Sequence, residues 1–226
     1  MKKLITSILI IQTSFCFSQE KYEFDYSIET EITFYKEDSI KKNVIYLTNS
    51  KDNSYFAEIT SKDSLNFRIV FRHHDKLYSD VLVSKSQLNK AEFINISCDD
   101  INYRKNKYKH VAKEYDFFIH NDTIINEKTY KVYTFRSILK NLKKRIRNGA
   151  GTNLYIIDNS TSFHLPLLTH PTAYEDWKLN NTLPNGIFIE KKYVNVLGEE
   201  HSSEKLISYY QIKKSIVVEK DCNGSK

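Results

Sequence analysis

A mainly β fold is predicted by three features of this 226-residue chain: one large, curved, half-barrel-like antiparallel sheet with one or two helices packed on it. Tyr and Phe are abundant, at 16 and 13, and both favour strands, whereas 5 Gly and 3 Pro leave neither a collagen-like nor a Pro/Gly-rich disordered class open. The stretch Tyr22–Phe34 alternates apolar and polar residues, the period of a strand with one face in a core. Further strand-like runs follow one another across short polar turns, which makes antiparallel pairing the default.

The first strand carries the clearest pattern. Tyr22, Phe24, Tyr26, Ile28, Ile32 and Phe34 alternate with Glu23, Asp25, Ser27, Glu29, Glu31 and Thr33. At roughly 3.3 Å per residue it spans about 40 Å, long enough to require a twisted and curved sheet. The expectation is that its even-numbered residues share one water-excluded face and form the apolar wall of a concavity. Val44–Leu47 and Tyr55–Ile59 flank the polar turn Asn49–Asn53 and read as a hairpin. Asn66–Arg72 and Leu77–Val83 read as strands around His73-His74-Asp75-Lys76. Ser84–Ala91 reads as a loop or short helix and Cys98–Lys113 as a polar, irregular loop. Tyr115–Ile119 and Tyr130–Phe135 are strands around Asn121-Asp122.

Between Ser137 and Asn148 the period changes. Ile138, Leu142 and Ile146 recur at helical spacing, with Ser137 as the expected cap and Gly149 as the stop. Asn153–Asp158 and Ile187–Val196 return to strand, separated by a long loop containing His170-Pro171, the chain's only Trp (Trp177) and Leu183-Pro184-Asn185-Gly186. The turn at Leu197–Glu200 leads into a last long strand marked by Leu206, Tyr210, Ile212, Ile216 and Val218.

Residues 1–18 read as a secretion signal. Lys2-Lys3 precede an apolar run from Leu4 to Phe17 that is shorter than the roughly twenty residues needed to span a bilayer. Cys16 and Ser18 supply the small residues for cleavage before Gln19. The rival reading, lipidation of Cys16, places bulky Phe15 where that processing wants a small residue. Residues 19–226 are then a single β-rich domain, exported to the periplasm or beyond and soluble after cleavage. Cys98 and Cys222 remain in an oxidising compartment, where one disulfide or two free thiols are open.

Charge is unevenly distributed. From Lys128 to Ile157 there are eight basic residues and no Asp or Glu, within a chain of net charge +6. Arg136, Lys140, Lys143, Lys144 and Arg147 are candidates for contact with an anionic membrane surface; the alternative is a solvated helix face whose apolar stripe packs on the sheet. Nucleic acid is not an expected partner outside the cytoplasm. His73-His74-Asp75 offers ligand types for a metal, but neighbours on a strand point to opposite faces. No metal and no cofactor are expected. Gly-x-Ser-x-Gly, His-Glu-x-x-His and phosphate-cradling glycine loops are missing from the sequence, so no catalytic residue is assigned. Trp177 reads as a loop anchor for a partner or as a lid on the core.

The order of these segments resembles a known group. Asn121-Asp122-Thr123-Ile124-Ile125 is followed by Thr129-Tyr130-Lys131-Val132-Tyr133. The strand Asn153–Asp158 comes next, then Leu183-Pro184-Asn185-Gly186-Ile187-Phe188-Ile189-Glu190. This is similar in order to the secreted GLPGLI family of bacterial proteins and, more distantly, to the LolA-like lipoprotein-carrier architecture, a half-open β-barrel with helices over its opening. Thr182 stands where the motif has its first Gly, and Asn185 lies between Pro184 and Gly186. Neither group implies catalytic residues; the carrier architecture implies an apolar concavity for acyl chains. Three functional classes stay open: an exported non-catalytic protein holding a lipid or acyl chain, a structural or envelope-protein interaction module with no ligand cavity, and a periplasmic hydrolase with dispersed catalytic residues.

Overall fold

The computed structural model describes residues 19–35, 39–219 and 222; the expected signal, residues 1–18, lies outside them. The fold is mainly β, as predicted, and is built on one large antiparallel sheet that does not close. Its strands are β1 (Gln19–Phe34), β2 (Ile40–Asn49), β3 (Asp52–Ser61), β4 (Asn66–His73), β5 (Leu77–Ser84), β6 (Phe93–Ile96) and β7 (Ile101–Tyr103). After these come β8 (Tyr115–Ile119), β9 (Thr123–Ile125), β10 (Lys128–Ser137), β11 (Thr152–Asp158), β12 (Ile187–Val194) and β13 (Glu200–Glu219). Along the sheet they run β7-β5-β4-β3-β2-β1-β13-β12-β11-β10-β8, with β6 pairing β13 and β9 pairing β10. The two longest strands, β1 and β13, lie side by side at the centre, in register from Gln19–Glu219 to Phe34–Ser202.

Among the described residues four short helices join the sheet: α1 (Lys85–Lys90), α2 (Lys109–Ala112), α3 (Leu142–Arg147) and α4 (Pro171–Asn180). Three of these depart from the sequence expectation. The polar stretch after Cys98 is not all loop, because it contains β7 and α2. The helix expected over 137–148 is reduced to α3: Ser137 ends β10 by pairing with Tyr115, and Asn141 is the cap, accepting from the Lys144 N–H. The long loop after β11 contains α4, which starts on His170 and Pro171 and stops at Asn181 in the left-handed conformation.

The main correction concerns β1. Its even-numbered residues do not share one face. Phe24 packs its ring against Tyr55 and Phe71 at 5.6 and 6.3 Å. Phe71 lies opposite Ala57, and Ala57 opposite Leu47, so Phe24 is on the Leu47 side of the sheet. Ile28 lies opposite Tyr46, Leu47's neighbour along β2, and is therefore on the other side. The change falls between Phe24 and Tyr26, where the β1–β13 register shifts by one residue. Asp25 holds this point: its carboxylate accepts from the Ser50 N–H at 2.7 Å and the Ser50 hydroxyl at 2.6 Å. β13 changes face as well, with Leu206 on the Ile28 side and Ile212, Ile216 and Val218 on the Phe24 side.

One sheet therefore carries two cores. The first joins Ile28, Tyr46 and Phe56 to Phe117, Tyr133, Phe135, Tyr155 and Ile157, and is covered by Leu167, Leu168, Leu183 and the Ala173–Tyr174 face of α4. Gly186 permits the return from this cover into β12: its φ is +143°, and a Cβ there would stand 2.6 Å from Ile157 Cγ2. The second core joins Tyr22, Phe24, Leu47, Ala57, Ile59, Ile69 and Phe71 to Leu88 of α1, Ile94 and Ile96 of β6 and Ile101 of β7.

Cys98 and Cys222 form a disulfide across a sequence separation of 124 residues, and Cys222 packs on the second core. A loop of this length gives a chain-entropy stabilisation of about 4–5 kcal/mol as an upper figure. Cys98→Ser is expected to lower stability by a few kcal/mol, read as a shifted denaturant midpoint. Reduction of the wild type should reproduce the shift, and reduction of the variant should add nothing.

Candidate functional site

The first core does not fill its side of the sheet. A cleft of about 290 Å³ remains, lined from β4, β3, β2, β1, β13, β12 and β11 in turn. Seven adjacent strands in a flat sheet would spread over about 29 Å, so a common cleft requires the sheet to curl around it. One wall is apolar: Ile32 and Phe34 of β1, Tyr46 of β2 and Phe56 of β3. Charged and polar residues flank it on both sides: Arg72, paired with Phe56, and Glu58 towards β4, and Glu204, paired with Ile32, and Lys191 towards β12, with Thr169 at the cover.

Strand pairing generates this arrangement. Ile32 lies opposite Glu204, Glu204 opposite Lys191, and Lys191 opposite Tyr155, giving one row across four strands. Lys191 Nζ is 3.3 Å from a Glu204 carboxylate oxygen, with side chains 17 and 6 % exposed. The Thr30 hydroxyl donates to the other Glu204 oxygen at 2.9 Å, and Lys191 donates to the Thr169 hydroxyl at 3.0 Å. Burial works to lower the Lys191 pKa, but Glu204, Tyr155 and Glu58 outweigh it and hold the ammonium above the ordinary lysine range. Burial pushes the Tyr46 hydroxyl well above its usual value, and the neighbouring Glu204 and Glu58 add to the effect. The tyrosine is therefore a neutral donor at physiological pH. Together the cleft offers a short apolar wall, a neutral phenol, two cations and two carboxylates.

Of the six candidate wall residues, Ile32 and Phe34 line this cleft. Ile28 is sealed in the core beneath it, Tyr22 and Phe24 belong to the core on the opposite face, and Tyr26 packs against Phe163 and His164. Trp177 is on α4, not in a loop; it packs on the first core beside Tyr174. His73 stacks against Tyr55, whereas His74 stacks on Tyr174, so the two rings face opposite sides of β4. His164 bonds the Thr48 hydroxyl, and His170 caps α4. Among the described residues no group of three or more His, Cys, Asp or Glu is placed to hold a metal ion.

The basic segment is arranged differently from the packed alternative. Ile138, Leu142 and Ile146 are 50, 52 and 51 % exposed, so the apolar stripe faces outward. Lys144 is tied to Glu114 at 2.6 Å, and the Arg136 guanidinium lies 4.3 Å from the Phe118 ring centre. Lys140, Lys143 and Arg147 are exposed around the stripe.

Glu58, Arg72, Lys191 and Glu204 were not legible as a site. Their signal was phase: Glu58 is in step with Phe56 and Glu204 with Leu206, so both point inward on strands whose alternation otherwise puts charge outward. Asp176 is a second buried carboxyl on α4, pushed up to about 6 by burial and by Asp116. It packs inside the cover and does not line the cleft.

The sequence matches no family profile and no curated protein. Solved structures similar to it include a chain of the Pseudomonas aeruginosa MucA/MucB complex (8 % identity, 84 % of this chain and 52 % of that chain, TM-score 0.42). An uncharacterized conserved protein from Thermus thermophilus (8 %, 92 % and 88 %, 0.42) and a LolA-superfamily protein from Nitrosomonas europaea (11 %, 90 % and 91 %, 0.30) are also similar. This chain spans about half the length of the first. The LolA-like architecture expected from the sequence is present among these structures; the GLPGLI resemblance is not, and the likeness is one of architecture alone. Among the described residues no helix is long and apolar enough to cross a membrane.

Breaking a buried pair leaves one charge uncompensated and costs about 3–5 kcal/mol, whereas removing both partners costs much less. Lys191→Met is expected to destabilise by that amount in chemical denaturation. Lys191→Met with Glu204→Gln should recover most of the loss, and equal losses in the single and double variants would show that the pair is not coupled.

Proposed function

We propose that this chain is an exported, non-catalytic binding module that takes a small amphipathic ligand into the cleft where Ile32, Phe34, Tyr46 and Phe56 are flanked by Arg72 on one side and by Glu204 and Lys191 on the other. The observation that carries the reading is this mixed lining. An apolar lining alone suits a hydrocarbon, and a charged lining alone suits an ion; an apolar patch bordered by charges suits a molecule with one end of each kind. At about 290 Å³ the cleft sits at the small end of ligand pockets. A complete acyl chain is therefore not its occupant; a short chain, or the end of a longer lipid whose remainder lies outside, fits. Beside the cleft, this side of the sheet is covered by Leu167, Leu168, Leu183 and α4.

A ligand that binds only the folded state raises its stability by mass action. Octanoate, octylamine and octyl phosphocholine, tested across millimolar concentrations, should include at least one that raises the melting temperature in a saturable way. Ile32→Trp, which fills the cleft, should abolish that rise while the variant keeps its own cooperative melt. If none of the three shifts the wild type, the cleft is unused space and the interaction-module reading replaces this one.

The outward apolar residues of α3 and of the segment before it support a docking surface for an anionic bilayer. Ile138, Leu142 and Ile146 are exposed, and Arg136, Lys140, Lys143 and Arg147 surround them with no acidic residue in the segment. Apolar insertion and basic contact act together at such surfaces, each cation near the lipid contributing about 1 kcal/mol. In flotation with vesicles, phosphatidylglycerol should carry the protein and phosphatidylcholine should not, and Leu142→Glu with Ile146→Glu should abolish flotation with phosphatidylglycerol. Equal flotation with the two lipids, or none, contradicts the docking role.

A further inference from the structure

A second and larger concavity, about 710 Å³, opens at the end of β4 and the start of β5, roofed by the segment after β7. Four cations line it: Arg72, Arg104, Lys105 and Lys107. The surrounding carboxylates are already taken. Lys76 holds Glu20, Lys109 and Lys178 hold Asp75, and Glu175 receives Lys178 and the Asn106 amide. Among the described residues none of the four lining cations has an ion-pair partner.

The site is organised around Tyr78. The guanidinium of Arg72 lies 5.6 Å from its ring centre and that of Arg104 lies 5.2 Å away. The ring thus gathers two like charges that repel each other when nothing lies between them. Arg72 Nε, on this lining and on that of the first cleft, is buried and has no hydrogen-bond partner. Buried polar atoms are nearly always paired, so an orphan guanidinium donor on this lining points to a missing acceptor. Guanidinium forks match the oxygens of phosphate and sulfate groups, and such bonds are stronger than neutral ones. The exposed rings of Tyr103 and Tyr108 add aromatic surface beside the cations.

We infer that this concavity binds a phosphate or sulfate monoester, held by Arg72, Arg104, Lys105 and Lys107 across the face of Tyr78. The inference does not depend on the amphiphile cleft, with which it shares only Arg72. The group can belong to a free small molecule or to a lipid headgroup.

The test uses the triple variant Arg104→Ala, Lys105→Ala and Lys107→Ala, whose side chains are exposed and do not line the first cleft. Phenyl phosphate is titrated calorimetrically against the wild type and the variant, with phenol as the uncharged control. In parallel, both proteins, each also carrying Leu142→Glu and Ile146→Glu to remove the α3 surface, are floated with phosphatidic acid vesicles. Saturable binding of phenyl phosphate, one per chain, that weakens at least tenfold in the variant supports a free monoester. Vesicle capture that falls at least tenfold in the variant, with phenyl phosphate binding weakly or not at all, supports a headgroup. Phenyl phosphate binding and vesicle capture both unchanged by the triple variant, phenol binding as well as phenyl phosphate, or no response in either arm overturns the inference.

Discussion

The structure depends on the change of side that β1 makes at Asp25. A strand that alternates without interruption can serve only one face of its sheet. By shifting register against β13 between Phe24 and Tyr26, β1 gives its first half to one core and its second half to the other. The Asp25 carboxylate fixes the switch by accepting two hydrogen bonds from Ser50 at the β2–β3 turn. Because β1 and β13 occupy the centre of the sheet, both cores are built outward from this pair.

Two cores on one sheet set what is left for binding. The second core is sealed by α1, β6 and β7, with Tyr22, Phe24 and Phe71 closely packed within it. The first is covered by α4 and its flanking leucines, and a cleft remains that includes the row from Ile32 through Glu204 to Lys191. A charge pair here costs desolvation that hydrocarbon packing would not. The Thr30 and Thr169 hydroxyls satisfy part of that requirement and fix the pair's orientation. The cleft is thus a polar interruption in an apolar interior.

The strands were legible because period two and turn residues act locally. The two halves of β1 each alternate cleanly, so the slip between them leaves no trace in the pattern; its cause is a non-local pairing with β13. β6 escaped notice for a related reason: Phe93–Ile96 is four residues long and is held by parallel pairing with the far end of the chain. α4 was hidden because it buries Thr172, Glu175 and Asp176 beside Ala173 and Tyr174, which erases the apolar stripe, and because histidine is its cap. α3 was overextended since Ser137 answers to its neighbour Tyr115 across the sheet rather than to the helix after it. Of the cleft, Ile32 and Phe34 were visible as apolar residues, whereas its charges stood at positions that alternation assigns equally to water.

The most direct measurement is the set of methyl–aromatic and aromatic–aromatic nuclear Overhauser contacts made by Phe24 and Ile28 in the folded protein. The account predicts that the Phe24 ring contacts Tyr55 and Phe71, and that the Ile28 methyls contact Tyr46 and no member of that ring cluster. A contact between the Ile28 methyls and Tyr55 or Phe71 would place both residues on one face and contradict the two-core sheet.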